Sequence, residues 1–217
     1  MSTAGDTEHA AILFADVKGY SVLISRDEVG TYERLRRARA LFQALVGDYG
    51  GRIVDEAGDG VLAAFPDAGK AVDFALAVQH DLANAAAWQG EIGPFAFRMG
   101  IHVGPVHRDG DRLYGKTLII AQRIQEVAPP GRVCVSDSVR EFVETRRDLR
   151  CIGLGMRQLK ILVQVILDMD MGFQRLATNM GDQNIIAPRA KAFYLEPSPL
   201  ICYQLLPGLP YDNRSAF

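Results

Sequence analysis

Cysteine is scarce in this chain: three residues, Cys134, Cys151 and Cys202, in 217. Their number is odd, they lie far apart, and no CxxC occurs. They suit a reducing compartment better than a disulfide framework. Charge of one sign is lacking as well, with a formal net charge of −2 and a pI near 6.1. No global basic field invites nucleic acid or an anionic membrane, so a site for an anionic substrate needs local help from cations or backbone N–H groups. No apolar run approaches the ~18 residues of a spanning helix. The polar, acidic stretch Met1–His9 has no charged n-region leading into an apolar h-region. The expectation is a cytoplasmic protein with neither membrane nor nucleic acid as partner. What is present, 48% hydrophobic and 23% charged residues, is ordinary globular composition, enough for one substantial core.

Read along the chain, the apolar run Ala10–Ala15 predicts a buried strand ending at Asp16, and Asp16–Ser21 a loop. Helical spacing runs from Arg26 to Tyr49 and stops at Gly50-Gly51. Arg52–Val54 and Val61–Phe65 read as a hairpin around Gly58-Asp59-Gly60. Pro66–Trp88 predicts a second helix, Phe95–Val103 a strand and Gly104–Asp111 a loop. A helix follows over Gly115–Val127, ended by Pro129-Pro130-Gly131. Val133–Val135 is a short strand, with Ser136 as cap of a helix over Asp137–Val143. This order is α+β and ferredoxin-like (βαββαβ) in outline. Residues 1–9 read as a flexible N-terminus, 10–160 as the domain, and 161–217 as a divergent, poorly defined tail.

Two carboxylates stand out. Asp16 closes a strand and Asp59 sits at a hairpin tip. If those strands are neighbours, both side chains project at one edge. Hard oxygen ligands of this kind bind Mg²⁺ or Mn²⁺, with water and phosphate completing the shell, and two such ions serve an in-line displacement. Asp-Gly at a hairpin is equally an ordinary turn, and Asp after a strand an ordinary solvated residue.

Five segments taken in order carry more. ILFADVKGYSVL, GGRIVDEAGDGVLAAF, FRMGIHVGPV, LYGKTLIIAQRIQEVAPPGRVCVS and LGMRQLK, over residues 10–160, together resemble the bacterial class III adenylate/guanylate cyclase domain. The resemblance implies a ferredoxin-like domain that forms a head-to-tail homodimer with active sites at the interface. The expected reaction turns ATP or GTP, ATP preferred, into the cyclic nucleotide and pyrophosphate. Asp16 and Asp59 would hold two Mg²⁺ or Mn²⁺ ions. Phe14 and Gly19 would face the phosphates, with Tyr20 beside them in substrate binding. Arg123 would reach the α-phosphate of the opposite subunit's substrate.

Three positions depart from the family pattern. Asp55 stands where a lysine often helps select the purine, and Arg112 where Asp or Thr is usual, so the two charges are exchanged. Across the interface they would accept from and donate to a guanine edge; otherwise they are an ordinary surface ion pair. Ile119 stands where an asparagine orients the ribose, and it has no hydrogen-bonding group. That predicts a weak cyclase, or alternatively a degenerate domain that binds nucleotide or dimerises without turnover. The family's closing strand is also not legible after Lys160, which would leave a sheet edge open. An RNA-binding reading of the ferredoxin-like sheet needs exposed stacking aromatics, whereas Phe14, Phe65, Phe95 and Phe97 read as core.

Overall fold

The computed structural model describes residues 7–84, 89–90, 93–144, 146, 149–157 and 200–207. Its first strand, β1 (Thr7–Val17), is longer than the apolar run predicts, and Asp16 lies within it. The stretch Asp16–Ser21, expected as a loop, shrinks to Lys18-Gly19 before a short helix, α1 (Tyr20–Arg26). The helix expected from Arg26 to Tyr49 is α2 (Glu28–Val46), followed by a 3₁₀ turn, Gly47–Tyr49. The break between α1 and α2 is at Asp27, whose backbone is extended and whose Oδ1 accepts from the Gly30 N–H at 2.8 Å, capping α2. The hairpin β2 (Arg52–Asp55) and β3 (Val61–Phe65) follows as read, then α3 (Ala68–Asn84). Two short strands, β4 (Gln89–Gly90) and β5 (Gly93–Pro94), pair only with each other.

The largest departure is β6 (Phe97–Asp109). Gly104–Asp111, expected as a loop, continues as strand to Asp109, because Thr7–Ala10 of β1 pair with Gly104–His107. The strand then turns back into β7 (Arg112–Tyr114). The remaining elements are α4 (Lys116–Val127), β8 (Val133–Ser136), α5 (Asp137–Val143), β9 (Leu149–Arg157) and β10 (Leu200–Pro207). The main sheet runs β2-β3-β1-β6-β8-β10-β9, with β7 beside β6. The edge beside β8 is not open: β10, from beyond residue 160, pairs with β8 and β9. Lys160 and 161–199 lie outside the described residues, as does Trp88. Among the described residues no helix is long and apolar enough to cross a membrane.

Side-chain alternation along β1 divides the core. Ala11, Leu13, Ala15 and Val17 face α2 and α3, where Phe42 and Phe74 meet edge to face at 5.8 Å. Ala10 and Ile12 face a second cluster that takes in Leu62, Ala64 and Ala121 of α4. Gly100 makes that second packing possible. A Cβ there would stand 2.2 Å from the Gln125 nitrogen and 2.5 Å from the Ala121 carbonyl oxygen, so α4 lies directly on β6. Phe65, Phe95 and Phe97 are buried, and Phe14 packs against the second cluster.

Ser136 precedes α5 but makes no side-chain cap bond. Its Oγ instead lies 2.8 Å from His102 Nδ1 and 2.9 Å from Ser138 Oγ. Burial lowers the His102 pKa from 6.5 to about 4, so the ring is neutral near pH 7. A depressed histidine contributes stability that is complete above the unfolded value and is lost as pH falls toward the folded one. The urea midpoint is therefore expected to fall between pH 6.5 and pH 4 more steeply in the wild type than in His102→Gln. Parallel curves would remove this histidine from the account.

Cys134 and Cys151 are free thiols, and burial pushes Cys134 up to about 12.

Candidate functional site

The β2–β3 hairpin and β1 are adjacent and antiparallel, with Ala15 opposite Val61. That register sets the turn holding Asp59 against the end of β1 holding Asp16. The turn is closed by the Gly60 N–H on the Ala57 carbonyl at 2.8 Å. Gly58 takes φ +58, a left-handed conformation that side chains resist. Asp59 Oδ2 accepts from the Val17 N–H at 3.0 Å, next in chain to Asp16. Asp59 thus lies against the end of β1 that carries Asp16, near enough for the Asp16 charge to act on it.

Charge at the pair is unbalanced in a specific way. Burial raises the Asp59 pKa above the ordinary carboxylate value, and the Asp16 charge raises it further. The hydrogen bonds from the Val17 and Asp59 N–H groups and the nearby Arg98 pull the other way. Asp16 is held by a residue that the sequence reading passed over. Arg98 of β6 donates from Nε to Oδ1 at 2.8 Å and from Nη2 to Oδ2 at 2.5 Å, a bidentate fork. Its Nη1 donates to the Glu126 carbonyl on α4 at 3.1 Å. A signal was available, since one arginine in the apolar strand FRMGIHV needs a partner when part-buried. Only the pairing of β1 with β6 shows that the partner is Asp16.

Around this pair, Gly19 is exposed at φ +72 before α1. Tyr20 stands close enough to feel the charges of Asp59 and Arg39; burial, with Asp59 next, raises its pKa. Phe14 lies two residues before Asp16, so the alternation of β1 puts both on one face of the strand. The other expected residues are not drawn in. Arg123 is half-buried on α4, where its Nη1 pairs with Glu126 Oε1 at 2.5 Å and its Nε has no hydrogen-bond partner. Asp55 and Arg112 are both exposed, and among the described ion pairs none joins them. Asp55 Oδ1 accepts from the Glu56 N–H at 2.9 Å. Ile119 is half-buried and belongs to neither core cluster. Among the described residues no group of three or more acidic, histidine or cysteine side chains is placed to hold a metal ion.

The family model described as "Adenylate and Guanylate cyclase catalytic domain" matches residues 3–164. Over 152 residues the chain is 37% identical to "Putative adenylate cyclase 3" of Rhizobium meliloti, covering 70% of this chain and 26% of that protein. Over 151 residues it is 34% identical to an adenylate cyclase of Streptomyces coelicolor, covering 67% and 38%. The chain thus spans well under half the length of either relative. The crystal structure of an adenylate/guanylate cyclase/hydrolase from Silicibacter pomeroyi superposes with a TM-score of 0.67 at 24% identity, covering 94% of this chain and 99% of that one. That likeness is one of fold.

Proposed function

Because the chain belongs to the adenylate and guanylate cyclase catalytic domain family, we propose that it converts ATP or GTP to the 3′,5′-cyclic nucleotide and pyrophosphate in a head-to-tail homodimer. The carrying observation is the meeting of Asp16 and Asp59, with the Asp59 carboxyl raised by burial and by its acidic neighbour. Two part-buried carboxylates whose mutual repulsion is only partly offset suit a divalent cation with hard-ligand preference. Asp16 and Asp59 would hold Mg²⁺ or Mn²⁺. When bound, such ions supply Lewis-acid polarisation of phosphate oxygens and ease deprotonation of the ribose 3′-hydroxyl.

The reaction forms one bond, from O3′ to the α-phosphorus, and breaks one, from that phosphorus to the oxygen leaving with pyrophosphate. The 3′-hydroxyl proton passes to solvent water. The chain's own residues orient the nucleotide and stabilise charge. Arg98 forks onto Asp16. A phosphate accepts the same bidentate pair of N–H bonds, so the guanidinium can pass from carboxylate to triphosphate. Phe14, Gly19 and Tyr20 line the approach on the β1 side. Arg123 from the second copy supports charge on the α-phosphate. In this chain its Nη1 pairs with Glu126 on α4 while Arg98 holds Asp16, which favours action in trans. Asp55 and Arg112, both exposed, are available to purine edges. The relatives named adenylate cyclase favour ATP.

The testing experiment incubates the purified chain with Mn²⁺ and ATP or GTP and identifies the product, alongside Ile119→Asn. Cyclic product from the wild type, raised about tenfold or more by the asparagine that can again position the ribose, is the expected result. Neither form making product would leave a nucleotide-binding or dimerisation module and end the cyclase reading.

A further inference from the structure

The turn that carries Asp59 is gripped by a helix that contributes nothing else to the carboxylate pair. From α2, Arg39 Nη2 donates to the Gly58 carbonyl at 2.6 Å. One helical turn on, Gln43 Nε2 lies 3.3 and 3.2 Å from the two carboxylate oxygens of Glu56. These bonds reach the residue directly before Asp59 and the one three before it. Apolar packing offers the turn little: Ala57 and Gly58 are exposed, and nothing lies within 4 Å of a Cβ built on Gly58. A cleft of about 240 Å³ on this side of α2 is lined by Tyr32, Arg36, Arg39 and Gln43 together with Glu56 at the start of the turn.

Arg39 accepts a cost in this role, since its Nε is buried without a hydrogen-bond partner. A guanidinium that leaves one donor unsatisfied while another makes a short charge-assisted bond is held there by that bond. We infer that Arg39 is a positioning residue for Asp59, fixing the Gly58 carbonyl so that the next carboxylate stays on the Val17 N–H and beside Asp16. The inference deepens the proposed function, because it rests on Asp59 as a ligand for a divalent cation. Gln43 is the auxiliary contact, with a neutral donor at longer range.

The test uses Arg39→Ala and Arg39→Lys, with Arg36→Ala as control from the same helix and cleft, where Arg36 pairs with Glu33 at 3.0 Å. The first readout is amide exchange of Val17 in metal-free protein, which reports whether Asp59 still accepts its N–H. The second is Mn²⁺ affinity, from the resonance signal of free Mn²⁺. Arg39→Ala is expected to speed Val17 exchange and weaken Mn²⁺ binding by roughly tenfold, as loss of an outer-sphere support does. Arg39→Lys, still able to donate, recovers part of both, and Arg36→Ala changes neither. Should Arg39→Ala not fold, Arg39→Met keeps the aliphatic stem and serves the same comparison. Wild-type values of either readout in the alanine or methionine variant overturn the inference, as does a wild type that binds no Mn²⁺. If both readouts shift while no form makes cyclic nucleotide, the tether stands and the cyclase reading falls.

Discussion

Asp59→Asn is expected to lower cyclase turnover by roughly 10²-fold or more and to raise the melting temperature of the metal-free protein at neutral pH. The two effects share one cause. In the folded chain the Asp59 carboxyl is raised by burial first and by the Asp16 charge after it. A carboxyl whose folded value exceeds its unfolded one contributes stability below the unfolded value and loses it as pH rises through the folded value. Near neutrality the ionised side chain is therefore a burden on the metal-free fold. Asparagine removes the charge and keeps an oxygen to accept the Val17 N–H. The sign of the change in melting temperature is the readout, since the Asp59 carboxyl is raised in the folded chain. The rise should shrink as pH drops through the carboxylate range, where the wild type becomes protonated. Calorimetry across pH, with product assays in Mn²⁺, checks both halves. Undiminished turnover would dismiss the site, and a less stable variant at pH 7 would dismiss the charge argument.

Arg123→Ala should be as damaging, by about 10³-fold, the lower range for an arginine that stabilises a phosphoryl transition state. Its distinctive signature is complementation. In the proposed head-to-tail dimer each site takes its carboxylates from one copy and Arg123 from the other. Arg123→Ala mixed in equal amounts with Asp16→Ala then forms mixed dimers in which one of two sites is intact. About a quarter of wild-type activity should return on random pairing, where neither variant alone has any. A mixture as inactive as its components would place Arg123 outside the partner's site. The cis geometry motivates the experiment: Arg123 sits beside Glu126, and it is Arg98 that holds Asp16.

Where pattern was strong, the elements followed it. The β2–β3 hairpin, α4 and β8 occupy nearly the residues that apolar runs, glycine pairs and Pro129-Pro130-Gly131 indicate. Where an element draws its hydrogen bonds from distant chain, local pattern failed. Residues 104–109 contain Gly104, Pro105 and charged residues and look like loop, but β1 and β7 supply their partners. Likewise β10 completes the sheet from the stretch read as tail.

The sequence alone determined the family, the two acidic positions and the arginine on α4, since these are carried by residue identity and spacing within short segments. Tertiary structure decided what those residues meet. It set Asp59 on the Val17 N–H, closed Arg98 over Asp16 and joined Arg39 to the turn. The reason is that strand register and the seating of α2 and α4 are settled by burial of whole faces, a property of the packed chain that no short segment contains.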